Sequence, residues 1–149
     1  MTRFRLAAPL AGVLALSLAS PVSAANIVGT AGPDNLVGTP QADVIRGLAG
    51  DDTIFGHGGA DTLRGNGGPD HIAGQVGPDW VYGGRGRDSL WGGTGIDHLF
   101  GGPGNDLITV AYDAAADVID CGDGNDVVRV SAADVINANC ETIVVVQLP

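Results

Sequence analysis

Apolar and polar residues recur along this chain with a period of nine. Read in blocks of nine from Gly29 to Thr109, the eighth position is Leu, Ile or Val in every block. The first position is Gly in all nine blocks, the fourth is Gly in eight, with Gln41 as the exception, and the sixth is Asp in all nine. Four positions kept in register over nine blocks cannot arise by chance. The chain is therefore predicted to be a repeat protein.

The repeat predicts short strands joined by tight turns. The apolar residue at position 8 lies between two outward neighbours, which is the alternation of a strand, and glycine at positions 1 and 4 permits the turns. One inward side chain per block cannot form a core, so two strand–turn units per coil must stack and bury continuous apolar rows. The predicted fold class is all-β, a right-handed parallel β-roll (β-solenoid). Its inner rows are Leu36, Ile54, Ile72, Leu90 and Ile108 on one sheet, and Ile45, Leu63, Val81 and Leu99 on the other.

The aspartate at position 6 indicates a function for this fold. In a stacked roll, equivalent residues of blocks i and i+2 lie one strand spacing apart, about 4.8 Å. Two like charges at that distance repel by on the order of 3 kcal/mol at an effective dielectric constant near 20. Carboxylates and turn carbonyls are oxygen ligands, which suit Ca²⁺ better than Mg²⁺ in a flexible cage. The alternative is that Asp only initiates turns, a role that Asn or Ser would fill equally well.

At these positions the chain resembles the RTX (repeats-in-toxin), or haemolysin-type, calcium-binding repeat family, whose motif is G-G-x-G-x-D-x-U-x. The blocks GGRGRDSLW, GGTGIDHLF and GGPGNDLIT match it fully, whereas the first six blocks lack the second glycine. The resemblance implies a calcium-bound parallel β-roll with ions held by Asp carboxylates and turn carbonyls. The residues that it implies as calcium ligands are Asp34, Asp43, Asp52, Asp61, Asp70, Asp79, Asp88, Asp97 and Asp106.

The N-terminal segment has the three-part pattern of a secretory signal peptide. Arg3 and Arg5 give a basic start, residues 6–18 are apolar apart from Ser17, and small residues precede a cleavage point after Ala24. The alternative, a membrane anchor, would need about 20 apolar residues. We therefore predict a signal peptide at 1–24, calcium-binding repeats at 25–109, and a secreted, extracellular protein.

Composition narrows the function further. Seventeen acidic residues oppose seven Arg and no Lys, for a net charge of −10, which excludes a phosphate-tracking nucleic-acid binder. A hydrophobic content of 44% is too high for a disordered acidic tail. Serine-hydrolase, zinc-protease and phosphate-loop motifs are all missing from the sequence. His71 and His98 lie three blocks apart, on opposite sheets of the roll, so they cannot form a dyad. We expect no catalytic residues, no enzyme activity, no membrane span and a monomer.

Residues 110–149 continue the pattern in weakened form. Two blocks follow two residues out of phase, and Asp117, Asp126 and Asp134 echo position 6. We interpret this segment as degenerate repeats with a C-terminal cap. Its two cysteines, Cys121 and Cys140, favour a disulfide in a secreted chain. Free thiols or a thiol–metal site are the alternatives, although no histidine lies in this region.

Aromatic residues concentrate at the outward positions 7 and 9. Blocks 6 and 8 are neighbours on one sheet, so Trp80, Tyr82, His98 and Phe100 are predicted to form one exposed patch. Cross-strand stacking would make the patch structural. A docking surface for a cell-surface glycan or protein would make it functional.

The sequence thus favours a secreted calcium-binding protein. The alternative is an extracellular adhesin or glycan- or envelope-binding module that uses this patch on a calcium-stiffened roll.

Overall fold

A computed structural model describes residues 23–110, 113, 115–137 and 139–146. Most of the predicted signal peptide, residues 1–22, lies outside the described residues. The part of the chain described contains fourteen strands and no helix. The strands are β1 (Asn26–Val28), β2 (Asn35–Val37), β3 (Val44–Ala49), β4 (Thr53–Gly58), β5 (Thr62–Gly67), β6 (His71–Val76), β7 (Trp80–Arg85), β8 (Ser89–Thr94), β9 (His98–Pro103), β10 (Leu107–Thr109), β11 (Val118–Asp123), β12 (Val127–Val130), β13 (Val135–Ile136) and β14 (Thr142–Val145).

Successive strands alternate between two parallel sheets of seven. The odd-numbered strands form one sheet in the order β1-β3-β5-β7-β9-β11-β13, and the even-numbered strands form the other. Each residue pairs with the residue two blocks later, so that Ile45 faces Leu63 and Leu63 faces Val81. Two blocks therefore make one coil. The predicted parallel β-roll is confirmed.

The core is a double row of apolar side chains between the two sheets. Both predicted rows are buried, and none of their nine members is more than 8% exposed. Ile119 and Val128 extend the rows beyond the ninth block. Burial of one Val, Leu or Ile contributes about 1.5–3 kcal/mol. Because each coil contacts only its neighbours, this stabilisation accumulates along the stack.

The two-residue slip after Thr109 is absorbed without a break in either sheet. Leu99 pairs with Ile119, and Ile108 pairs with Val128, at a separation of 20 residues instead of 18. The predicted disulfide is present between Cys121 and Cys140, whose Cα atoms are 5.3 Å apart. Cys121 is fully buried among the core side chains. The disulfide therefore fixes the C-terminal segment to strand β11. Across the described ranges, the structure contains no helix that could cross a membrane.

Candidate metal centre

The position-6 aspartates form two ladders, one along each edge of the roll. They lie in the turns that carry the chain from one sheet to the other, directly before the next strand. From Asp43 to Asp126 the ladder carboxylates are buried, with at most 2% of each residue exposed. The first ladder is Asp34, Asp52, Asp70, Asp88, Asp106 and Asp126. The second ladder is Asp43, Asp61, Asp79, Asp97, Asp117 and Asp134.

Each ladder is held together by hydrogen bonds between coils. The backbone N–H of Asp52 donates to Oδ1 of Asp70 over 2.9 Å, and the N–H of Asp70 donates to Oδ1 of Asp88 over the same distance. The second ladder repeats the pattern, with Asp79 N–H donating to Asp97 Oδ1. In every ladder Asp except Asp34, one carboxylate oxygen is thereby used to join its coil to the preceding one.

The other carboxylate oxygen has no partner. Within the described residues, Oδ2 is buried and accepts no hydrogen bond in nine aspartates. An unsatisfied buried polar atom costs about 1–3 kcal/mol, and a charged one costs more. These nine are Asp52, Asp61, Asp70, Asp79, Asp88, Asp97, Asp106, Asp117 and Asp126.

Glycine at position 1 makes room for this free oxygen. A Cβ atom placed on Gly92 would lie 2.5 Å from Asp97 Oδ2, and one on Gly101 would lie 2.6 Å from Asp106 Oδ2. The backbone carbonyl of the next coil borders the same space, because a Cβ on Gly74 would meet the Gly92 oxygen at 2.6 Å. Carboxylate and carbonyl oxygens therefore converge where any side chain at position 1 would stand.

The first two turns are closed differently. In the first block, Thr30 donates its backbone N–H to Asp34 Oδ2 over 2.5 Å and its hydroxyl to the same oxygen over 3.0 Å. In the second block, Thr39 donates its N–H to Asp43 Oδ2 over 2.5 Å and its hydroxyl to Oδ1. Asp34 and Asp43 were predicted as ligands together with the other seven aspartates. In this structure protein donors already occupy their Oδ2 atoms.

The conformation at position 2 distinguishes the two kinds of turn. In the third to sixth blocks this position holds non-glycine residues with positive φ, such as Leu48 at 88° and Gln75 at 84°. In the last three blocks it holds glycine, as at Gly84, where φ is 114°. A left-handed conformation costs a residue with a side chain roughly 1–2 kcal/mol. The second glycine of the repeat motif thus removes strain from the turns that leave the Asp oxygen free.

Burial shifts the proton equilibria of the ladder aspartates upward. Burial, aided by neighbouring carboxylates and opposed by a backbone hydrogen bond, raises the pKa of Asp88 and of Asp97 to about 7. The same causes raise the pKa of Asp79 to about 6. At Asp43 burial also acts upward, but the hydrogen bonds from Thr39 and Ala25 outweigh it and lower the pKa. In the middle of each ladder the ionised form of the carboxylate is therefore disfavoured. At Asp43, where Thr39 donates hydrogen bonds, the ionised form is favoured.

These shifts predict that the metal-free roll is more stable in acid. A carboxyl with a raised pKa binds more protons in the folded chain, so its stabilising effect is complete below about pH 4 and is lost as pH rises to about 7. In excess chelator, we expect the β-sheet signal in circular dichroism to be larger at pH 4.5 than at pH 7.5. The double variant Asp88→Asn, Asp97→Asn should flatten this dependence. Metal-free stability that rises through this window would contradict the burial argument.

Both ladders end on acidic side chains near the C-terminus. Asp117 donates its N–H to Asp134 Oδ1, while Ser131 donates to Asp134 Oδ2 over 2.6 Å. Asp126 donates to Glu141 Oε2 over 2.9 Å. Sequence reasoning did not assign Asp117 and Asp126 as ligands because the period slips before them. The signal that could have identified them is an apolar residue two positions after the aspartate. Glu141 carries no such signal.

The ladders supply carboxylates in adjacent pairs only. Across the described ranges, no three side chains of His, Cys, Asp or Glu converge as a metal cluster. A cation in these turns would therefore need backbone carbonyls beside the unpartnered Oδ2 atoms. That all-oxygen donor set fits a hard cation such as Ca²⁺. His71 and His98 lie on opposite sheets, as predicted.

The predicted aromatic patch exists on the odd-numbered sheet. Trp80 stacks on His98 with ring centroids 4.2 Å apart and Tyr82 stacks on Phe100 at 4.8 Å, both nearly parallel. Arg64 covers the other face of Tyr82 at 4.1 Å. The faces of these rings are thus covered by one another, as expected for aromatic residues on adjacent strands. This geometry supports a stabilising role for the patch.

Replacement of patch residues tests that role. We expect the double variant Trp80→Thr, Phe100→Thr to lower the melting temperature of the calcium-loaded protein, since two stacked pairs contribute roughly 1–3 kcal/mol. Trp91→Thr on the opposite sheet is the matched control. Its ring lies outside every stacked pair among the described residues, so the loss should be smaller. An unchanged melting temperature together with lost retention on polysaccharide would instead show a binding face.

Comparison with known proteins agrees with the geometry of the turns. Four copies of the RTX calcium-binding nonapeptide repeat match residues 28–63, 55–90, 64–99 and 91–110. A comparison with curated proteins finds no match. The matched copies cover more than half of the chain, and they include seven of the nine aspartates with an unpartnered Oδ2, those from Asp52 to Asp106. The chain belongs to the RTX calcium-binding nonapeptide repeat family.

Proposed function

We propose that this protein is a secreted calcium binder whose ions are held by the nine ladder aspartates from Asp52 to Asp126 that have an unpartnered Oδ2. The observation that carries the proposal is the contrast within one chain. Thr30 and Thr39 donate hydrogen bonds to Oδ2 of Asp34 and Asp43, whereas in the nine others Oδ2 is buried and has no donor. A buried carboxylate oxygen without a donor is the group that a cation would complete.

Calcium bound in these turns supplies positive charge to columns of like-charged carboxylates. The chain's own residues do the remaining work. Oδ1 of each of the nine aspartates keeps the coils in register by accepting the N–H of the preceding coil, as between Asp88 and Asp106. Position-1 glycines such as Gly83 leave the space in which carboxylate and carbonyl oxygens meet. In this proposal, calcium binding and the stacking of the coils therefore depend on the same carboxylates and occur together.

Secretion is the second part of the proposal. The N-terminal pattern of residues 1–24 supports it, and the Cys121–Cys140 disulfide supports it because such bonds persist in oxidising compartments. Extracellular calcium would then be available at the concentrations that extracellular modules require, about 10⁻⁴ to 10⁻³ M. The adhesin alternative gains no support from the aromatic patch, since its rings stack on each other.

Calorimetric titration with calcium and with magnesium tests this proposal directly. We expect several calcium ions to bind at neutral pH, with magnesium much weaker because Mg²⁺ demands a rigid octahedral site. Asp79→Asn, Asp97→Asn should lower the calcium stoichiometry. The matched variant Asp34→Asn, Asp43→Asn should leave it unchanged. Absence of calcium binding, or equal loss in both variants, would refute the assignment.

A further inference from the structure

The even-numbered sheet carries a second aromatic arrangement, built differently from the patch. Phe55, Ala73 and Trp91 occupy the same outward position on β4, β6 and β8, and they are direct neighbours in the register. Their chain neighbours Ile54, Ile72 and Leu90 point into the core. The Cα atoms of Phe55 and Trp91 are therefore two strand spacings apart, about 9.6 Å, with Ala73 between them. The result is a slot with two aromatic walls and an alanine floor.

The slot leaves space between its aromatic rings, whereas the rings of the aromatic patch are in contact. On the other sheet, aromatic residues on adjacent strands stack at 4.2 and 4.8 Å and leave no space between rings. Here Ala73 interrupts the column, and Trp91 is 55% exposed. Cavities of about 420 and 130 Å³ lie along the two sides of the slot, and Phe55, Ala73 and Trp91 line both of them.

Polar groups stand on both rims. Gln75 and Thr94 line the larger cavity, and His71 and Ser89 line the smaller one. Each side chain can donate and accept hydrogen bonds. Among the residues that the structure describes, no Asp, Glu or Arg lines either cavity, although the chain carries a net charge of −10. Apolar walls with a few convergent, uncharged polar groups are the usual construction of a site for a neutral small molecule.

The width of the slot selects among neutral ligands. A flat ring in contact with both walls at 3.5–4.0 Å would need a separation of only about 7–8 Å. A pyranose chair is thicker than a flat ring because it is puckered and carries axial hydrogens. It would touch both aromatic walls with its C–H faces and direct its hydroxyls to the rims. Both faces are apolar only when all ring substituents are equatorial, as in β-linked sugars of gluco configuration.

We propose that the slot between Phe55 and Trp91 binds one ring of a β-linked, gluco-configured polysaccharide. This site is separate from the calcium ladders and lies on the sheet opposite the aromatic patch. Its role is to attach the calcium-loaded roll to a neutral glycan surface.

The experiment uses the calcium-loaded protein and tryptophan fluorescence. Trp80→Phe leaves Trp91 as the single reporter and changes only the patch on the other sheet. Cellohexaose and N-acetylchitohexaose are the probes, and they distinguish glucose from N-acetylglucosamine as the ring. β-1,4-Galactohexaose is the control, because the axial oxygen on C4, which carries the glycosidic link, makes one face of each ring polar. We expect the fluorescence of Trp91 to change saturably with at least one gluco probe at concentrations of up to about 10 mM. The galacto probe should bind at least tenfold more weakly.

A filled slot provides the decisive variant. Ala73→Tyr should place a third ring between Phe55 and Trp91, where it can stack as Tyr82 and Phe100 do. The protein should therefore fold with an unchanged or higher melting temperature and lose at least tenfold in probe affinity. Trp91→Ser, followed by calorimetry, should lose as much through removal of a wall. Parental affinity in either variant, no binding of either gluco probe, or tighter binding of free indole than of the hexasaccharides would overturn the proposal.

Discussion

Removal of calcium at neutral pH should convert the roll into a largely disordered chain. Nine buried carboxylate oxygens would then lack any partner, and the ladder carboxylates would repel each other along both edges. The 25 glycines add a large conformational entropy to the unfolded chain. The apolar rows contribute one side chain per block, which is a thin core to set against these costs. Ion binding is therefore expected to supply much of the folding free energy.

Circular dichroism during a calcium titration measures this effect. The β-sheet signal should be nearly absent in excess chelator and should appear at calcium concentrations of about 10⁻⁴ to 10⁻³ M. Magnesium at the same concentration is the control for ionic strength and should restore little signal. The disulfide stays oxidised throughout, so that its loss does not contribute. Identical β-rich spectra with calcium and with chelator would show that the coils stack without the ion.

The nine-residue pattern was sufficient to predict the fold, the sheet assignment and the inner rows. Position 8 alternates with outward neighbours, and only stacking of every second block can bury Leu63 against Val81. The aromatic patch followed from the same register. These features depend only on the nine-residue spacing of residue types, which can be read directly from the sequence.

The difference between the turns could not be predicted from the period. Asp43 and Asp61 occupy the same position of their blocks, yet Thr39 donates to one carboxylate and no side chain donates to the other. The decisive variable is the sign of φ at position 2, where His57 at 77° takes a conformation that its residue type disfavours. Only the assembled turn shows whether the N–H at that position reaches the carboxylate. The slot at Ala73 could not be predicted for a related reason, because it is defined by a small residue between two large ones on different coils.

Asp88→Ala should damage the roll far more than Asp34→Ala. Asp88 is 1% exposed, its Oδ1 accepts the N–H of Asp70, and its own N–H donates to Asp106. The change to alanine leaves the buried N–H of Asp70 without a partner, and a hydrogen bond to a charged group contributes about 1.5–3 kcal/mol. It also removes one of the nine unpartnered oxygens from the middle of the first ladder.

Asp34 lies at the beginning of the same ladder, and its carboxylate does not join two coils. Its carboxylate accepts hydrogen bonds only from Thr30 in its own exposed turn, and in the described residues no earlier coil donates to it. Asp34→Ala should therefore cost less than about 1 kcal/mol and hardly move the calcium midpoint, whereas Asp88→Ala should raise that midpoint severalfold. Asp88→Asn is the matched variant that keeps Oδ1 as an acceptor and removes only the charge, and it separates the hydrogen bond from the ion. Because stability in a stack is a sum over neighbouring coils, equal shifts for Asp88→Ala and Asp34→Ala would show that the ladder does not transmit binding from coil to coil.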